Sequence, residues 1–234
     1  MNYIRCALLS ACALALTTAL SASAAVITFT GGAVVMPDHT IETTNNDVTY
    51  YVADYYEEAG FRVGHTDGGI VIGNYYGLGN DVLHTHWAPH NRYGTTEIRV
   101  NRIDGAAFNL DAFGLTSNTA LSGRPAVGDE EVLIHASKDG VHSSYSVLLP
   151  PDDWGGSIAT ILLGAQFDNI KAFWFTAVND TDCFGIDNLV VAPGPGQVPE
   201  PGSLALAVLA LAEMARRRRA CIKTIQVGEH DGKL

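Results

Sequence analysis

The sequence predicts an all-β fold, an antiparallel β-sandwich that we expect to be a jelly roll. Between Val26 and Val191 the apolar residues alternate with polar ones, which is the period of half-buried strands. Turn-forming Gly, Asn and Asp residues recur roughly every ten positions. No stretch of this range has helical periodicity. About eleven short strands with such turns are typical of a sandwich.

The alternation places the individual strands. Ile98 and Val100 point inward, whereas Glu97 and Arg99 face water. Residues 172–175 are apolar on both faces, so we expect a central strand there. Other inward faces are expected at Val132, Ile134 and Ala136, and at Tyr145, Val147 and Leu149, with a hairpin loop at 138–140. Further strands are expected near 26–30, 48–56, 60–64, 69–75, 81–87, 106–113, 158–163 and 184–191.

Charge is distributed unevenly along the 234 residues, whose formal net charge is −11. Residues 25–198 hold 7 Lys and Arg residues against 21 Asp and Glu residues. Because this body lacks a basic face, nucleic acid is not an expected partner. Its length suits one hydrophobic core, so we assign residues 25–192 to a single β-sandwich domain.

The N-terminus has the features of a secretory signal peptide, residues 1–24. Arg5 supplies the positive charge, and an apolar run of Ala and Leu extends from Cys6 to Leu20. Small residues then occupy positions 22–24, so we expect signal peptidase to cleave before Ala25. After cleavage Cys183 is the only cysteine of the body, which excludes a disulfide within it.

The C-terminal region joins three features in a specific order. Pro199-Glu200-Pro201 is followed by a short apolar segment and then by four arginines, Arg216, Arg217, Arg218 and Arg219. Residues 199–219 therefore resemble the PEP-CTERM sorting signal of Gram-negative bacteria. The resemblance implies cleavage by the membrane protease exosortase and delivery to the cell surface or the exopolysaccharide matrix. A Pro/Gly linker, 193–198, precedes this signal.

Two features depart from that pattern. Glu213 interrupts the apolar segment, and a cytoplasmic tail extension, 220–234, follows the arginines. Residues 203–215 would form a short helix of about 20 Å, which is shorter than a bilayer core of about 30 Å. We therefore expect transient inner-membrane anchoring, with the arginines on the cytoplasmic side.

A second resemblance concerns the body. Phe108-Asn109-Leu110, Asp139-Gly140, Phe167-Asp168-Asn169-Ile170 and Phe184-Gly185-Ile186-Asp187-Asn188-Leu189 resemble secreted jelly-roll domains of the carbohydrate-binding type. These are core and turn positions, so the resemblance implies a fold and identifies no ligand residues.

Three histidines form a candidate metal site. His84 and His86 would share one face of a strand, and His90 can turn in across Ala88-Pro89. Three imidazoles are suited to zinc and leave a position for water. Alternatively, the three histidines are exposed residues of a strand and loop. Ala88 stands where the signature of zinc hydrolases has Asp, which favours the second interpretation.

The remaining candidates are weaker. Trp87, Tyr93 and Trp154 lie near turns and would stack on sugars if exposed; otherwise they pack in the core. No cofactor is expected. Asx-rich turns at 80–81, 179–182 and 187–188 offer oxygen ligands for a structural calcium ion, but the alternative, that these residues only form turns, is favoured. The sequence thus favours a non-enzymatic exported surface or matrix protein. The alternatives are a carbohydrate-binding module and a secreted hydrolase, metal-dependent or acting on glycosides.

Overall fold

The computed structural model describes residues 24–75, 79–88, 92–116, 131–150, 159–178, 181, 183–194 and 213–214. Residues 23–197 form one compact unit, and the other unit contributes only Glu213 and Met214, which are helical. Within the described ranges, no helix has both the length and the apolar character needed to cross a membrane. The predicted helix at 203–215 otherwise lies outside the described residues.

The described strands, in chain order, are β1 Ala25–Ile27, β2 Ala33–Val35, β3 Ile41–Thr43, β4 Tyr51–Ala53, β5 Tyr55–Glu58, β6 Phe61–Thr66, β7 Ile70–Gly73, β8 Val82–His86, β9 Glu97–Arg102, β10 Phe108–Thr116, β11 Val132–Ser137, β12 Tyr145–Leu148, β13 Ala159–Leu162, β14 Ala172–Ala177 and β15 Cys183–Pro193. A short 3-10 helix, Ala165–Phe167, lies between β13 and β14.

These strands form two antiparallel sheets. Sheet A has the order β13-β10-β15-β8-β7-β4, with β1 also paired to β15. Sheet B has the order β12-β11-β14-β9-β6-β5-β2-β3. From β8 onward the chain crosses repeatedly between the sheets, as in Greek-key and jelly-roll folds. The prediction of an antiparallel β-sandwich is confirmed.

One hydrophobic core lies between the sheets. Ile98, Val100 and the inward residues of β11 are all fully buried, as their alternation predicts. Strand β14 is central, between β11 and β9, and all four residues 172–175 are buried. Phe175 packs with Phe113, Phe173 and Phe184, at ring-centroid distances of 5.4, 5.8 and 5.0 Å. Aromatic side chains therefore make up much of the middle of the core.

The sequence prediction differs from the fold near the N-terminus. The expected strand 48–56 is two strands, because the chain leaves sheet A after Ala53 and enters sheet B at Tyr55. The Asp54 backbone N–H donates to the Val35 carbonyl oxygen at this crossing, at 2.8 Å. Strands β2 and β3, of three residues each, were not expected from the sequence.

Candidate metal centre

Strand β8 presents two faces of different chemistry. Leu83 and Trp87 point into the core, so His84 and His86, of opposite parity, lie on the outer face of sheet A. His84 is nevertheless buried, and its ring stacks on that of Tyr75 with centroids 3.9 Å apart. The interpretation of these histidines as wholly exposed is therefore wrong for His84, whereas His86 is half-buried.

Strand β15 adds a thiol to this face. In the antiparallel register Cys183 lies opposite His86, and Gly185 lies opposite His84. Gly185 has no side chain, so His84 has no side chain of β15 directly opposite it. Sequence analysis did not group Cys183 with the histidines, because it is 97 residues from His86 along the chain.

The three side chains are close enough to share a ligand. Sγ of Cys183 lies 3.4 Å from Nδ1 of His86. One potential ligand atom from each of His84, His86 and Cys183 lies within 4.8 Å of the others. The two imidazole rings meet edge to face, with centroids 5.0 Å apart and an interplanar angle of 88°. This group is called the His-His-Cys cluster below.

The environment of His84 favours the neutral imidazole. Burial, with a smaller contribution from the charge of His86, lowers the pKa of His84 to about 3. A buried imidazolium would be costly, because the charged ring loses its hydration on burial. A neutral ring retains a nitrogen lone pair at neutral pH, and this is the form that binds metals.

The other proposed site residues have different surroundings. Trp87 is fully buried against Phe184, with ring centroids 5.4 Å apart. This corrects the expectation of an exposed Trp87, because a core indole offers no face to a sugar. Tyr93 is 65% exposed, with the Arg92 guanidinium 4.4 Å from its ring centroid. His90 and Trp154 lie outside the described residues.

Several of the residues considered for calcium take part in hydrogen bonds, whereas residues 179, 180 and 182 lie outside the described residues. Nδ2 of Asn80 and Nδ2 of Asn188 each donate to Oδ2 of the buried Asp187 at 2.7 Å. Oδ2 of Asp81 accepts the Asn46 backbone N–H at 3.0 Å. Over the described parts of the chain, the His-His-Cys cluster is the group of His, Cys, Asp or Glu with spacing suited to a metal.

The sorting residues at the C-terminus, Pro199, Glu200, Pro201 and Arg216 to Arg219, lie outside the described residues. Comparison with protein families shows that residues 197–219 match the PEP-CTERM protein-sorting motif. No curated protein matches the sequence. Residues 197–219 therefore carry a PEP-CTERM protein-sorting motif, which implies an exported, surface-associated protein and processing by exosortase.

Proposed function

We propose that the mature protein is a non-enzymatic β-sandwich displayed at the outer cell surface or in the exopolysaccharide matrix. The observation that carries this proposal is the sorting motif at residues 197–219, which begins soon after β15 ends at Pro193. Signal peptidase would remove residues 1–24, and exosortase would remove the arginine tail. The product is then essentially the sandwich.

The surface charge supports this placement. Acidic residues outnumber basic ones threefold in residues 25–198, at 21 against 7. Such a body repels other copies of itself and remains hydrated at high local concentration. The acidic body offers little positive charge to attract a polysaccharide, so contact with the exopolysaccharide would rest on hydrogen bonds and stacking.

Processing at both ends provides the test. Intact-mass analysis of surface material from the native host should find a chain that begins at Ala25 and lacks residues 216–234. Replacement of Pro199-Glu200-Pro201 by alanines should retain the tail, whereas Glu213→Ala should not. A dominant surface species that still carries Arg216 to Leu234 would contradict the proposal.

Carbohydrate binding is the second candidate, and the exposure of Tyr93 favours it. An exposed tyrosine ring can stack on the apolar face of a sugar. A glycan array should then show binding that Tyr93→Ala abolishes and that Tyr145→Ala preserves. Tyr145 is the matched control, because it is 39% exposed but packs against Phe167 with centroids 6.0 Å apart.

A hydrolase is the remaining alternative, and it has a direct test. Incubation of the protein with a panel of polysaccharides and ester substrates should give no turnover above buffer. Turnover that copurifies with the protein would replace the non-enzymatic proposal.

A further inference from the structure

We propose that His84, His86 and Cys183 bind one transition-metal ion of the zinc class on the outer face of sheet A. The ligand set is two imidazole nitrogens and one thiolate. This inference is independent of the proposed function, since a surface protein needs no metal to be sorted.

The separations of the ligand atoms fit such an ion. Bonds of about 2.3 Å to sulfur and about 2.0–2.1 Å to nitrogen place tetrahedral ligand atoms roughly 3.3–3.6 Å apart. Sγ of Cys183 and Nδ1 of His86 are already 3.4 Å apart. With all three ligand atoms within 4.8 Å of one another, the remaining closure of about 1 Å requires only small side-chain rotations.

Rigid elements hold the three residues together. Strands β8 and β15 are hydrogen-bonded neighbours inside sheet A, and the pairs Cys183–His86 and Gly185–His84 set the register. Sites on paired strands keep their geometry better than sites on loops. The stacking of His84 on Tyr75 further restricts the orientation of the imidazole.

The ligand chemistry selects the class of ion. Thiolate and imidazole favour zinc and copper, whereas calcium and magnesium require oxygen ligands. On binding, Cys183 gives its thiol proton to solvent and forms a sulfur–metal bond, so binding releases one proton and changes no oxidation state when the ion is Zn²⁺. Three protein ligands leave a fourth position for water or another donor.

A catalytic thiol–imidazole pair would need a substrate to reach the sulfur. Cys183 is fully buried, which opposes attack on a large substrate. A metal ion is small and does not need an open cleft at the sulfur. It can bind while the sheet forms, or it can reach the cluster through the half-buried His86. The burial of the thiol therefore favours metal binding over nucleophilic catalysis.

Metal titration of the purified, exported chain tests the proposal. After dialysis against a chelator, addition of Zn²⁺ should give about one bound ion per chain and a higher melting temperature. Co²⁺ should give a sulfur-to-cobalt charge-transfer band in the near ultraviolet. Cu²⁺ in the same site should give an intense visible band from sulfur-to-copper charge transfer.

Variants identify the ligands. His86→Ala and Cys183→Ser should each weaken zinc affinity by more than about a hundredfold and remove the cobalt charge-transfer band. His142→Ala is the matched control, because its side chain is 83% exposed in the β11–β12 loop of sheet B, and it should bind zinc like the wild type. His86 is half-buried, so its variant should fold even if loss of the buried thiol does not permit folding.

Two results would overturn the proposal. One is less than about 0.2 zinc per chain when zinc is present well above micromolar concentration, where three-ligand sites should saturate. The other is stoichiometric zinc that persists in His86→Ala, with no cobalt–sulfur band in the wild type. Either result would show that the three side chains do not act together as ligands.

Discussion

Asn80 donates a hydrogen bond from Nδ2 to Oδ2 of Asp187 at 2.7 Å, and Asp187 is inaccessible to solvent. Burial raises the pKa of Asp187 to about 6, and this effect outweighs the amide donors of Asn80 and Asn188. The negative charges of Glu58 and Asp81 add to the increase. The carboxyl group of Asp187 is thus more stable protonated in the folded chain than in the unfolded one.

The first prediction concerns pH. Between the unfolded pKa near 3.8 and the folded pKa near 6, the folded chain holds an additional proton at Asp187. The contribution of Asp187 to the free energy of unfolding is therefore present at low pH and is lost as pH rises from about 4 to about 6. The loss is on the order of 2–3 kcal/mol. Denaturant titrations should show that wild type loses this amount relative to Asp187→Asn over that range.

Asp104 provides a control of opposite sign. It is an exposed partner of Arg102, and that contact lowers the pKa of Asp104. Its stabilising contribution should disappear as pH falls, so Asp104→Asn should differ from wild type chiefly at neutral pH. A wild-type to Asp187→Asn difference that does not change between about pH 4 and about pH 7 would contradict the assignment.

The second prediction concerns the central strand. Phe175→Ala should lower the free energy of unfolding by about 3–5 kcal/mol, because it leaves a cavity among three other aromatic rings. Leu162→Ala is the control, since Leu162 is 80% exposed on β13 and should change stability by less than about 0.5 kcal/mol. Equal effects of the two substitutions on guanidinium unfolding would place Phe175 outside the core.

The sequence predicts the core positions of this fold well, but it does not predict which strands are neighbours. Alternation placed Ile98 and Val100 in the core, and the unbroken apolar run 172–175 placed Phe175 on a central strand, because each of these patterns lies within a single strand. Trp87 lies near a turn, so the sequence left open whether it is exposed or packs in the core, and the structure shows it in the core. The approach of Cys183 to His86 depends on which strands are neighbours, and no local pattern encodes that order.

The third prediction concerns a close backbone approach. A Cβ atom on Gly94 would overlap the backbone of Trp87 and Ala88, where β8 ends. Gly94→Ala should therefore cost about 1–3 kcal/mol through overpacking. Gly64, inside β6, has no atom within 4 Å of the equivalent Cβ position. Thermal unfolding should find Gly64→Ala neutral or stabilised by up to about 1 kcal/mol, and the reverse ranking would refute the explanation.

The fourth prediction concerns the outer face of sheet B. The Arg99 guanidinium lies 4.1 Å from the Trp174 ring centroid, and Arg99 also donates to Glu97 and to the Gly140 carbonyl oxygen. Arg99→Ala should lower the free energy of unfolding by about 1–2 kcal/mol. Arg99→Lys should recover only part of this loss, because an ammonium group cannot reproduce the planar contacts.

Arg62 is the comparison for that measurement. Its side chain is 46% exposed, and it pairs with Glu57 and lies over the Tyr55 ring. Arg62→Ala should cost less than about 1 kcal/mol, since solvent screens this pair. If Arg62→Ala proves as destabilising as Arg99→Ala, the partial burial of the Arg99 contacts is not the source of their strength.

Strand β15 imposes an order on how the exported chain becomes a folded one. It pairs with β10 on one side and with β8 and β1 on the other, yet among the strands that the structure describes it is the last to be synthesised. A chain that emerges N-terminus first therefore exposes the unpaired edges of three strands until residues 183–193 arrive, and such edges are prone to association with other chains.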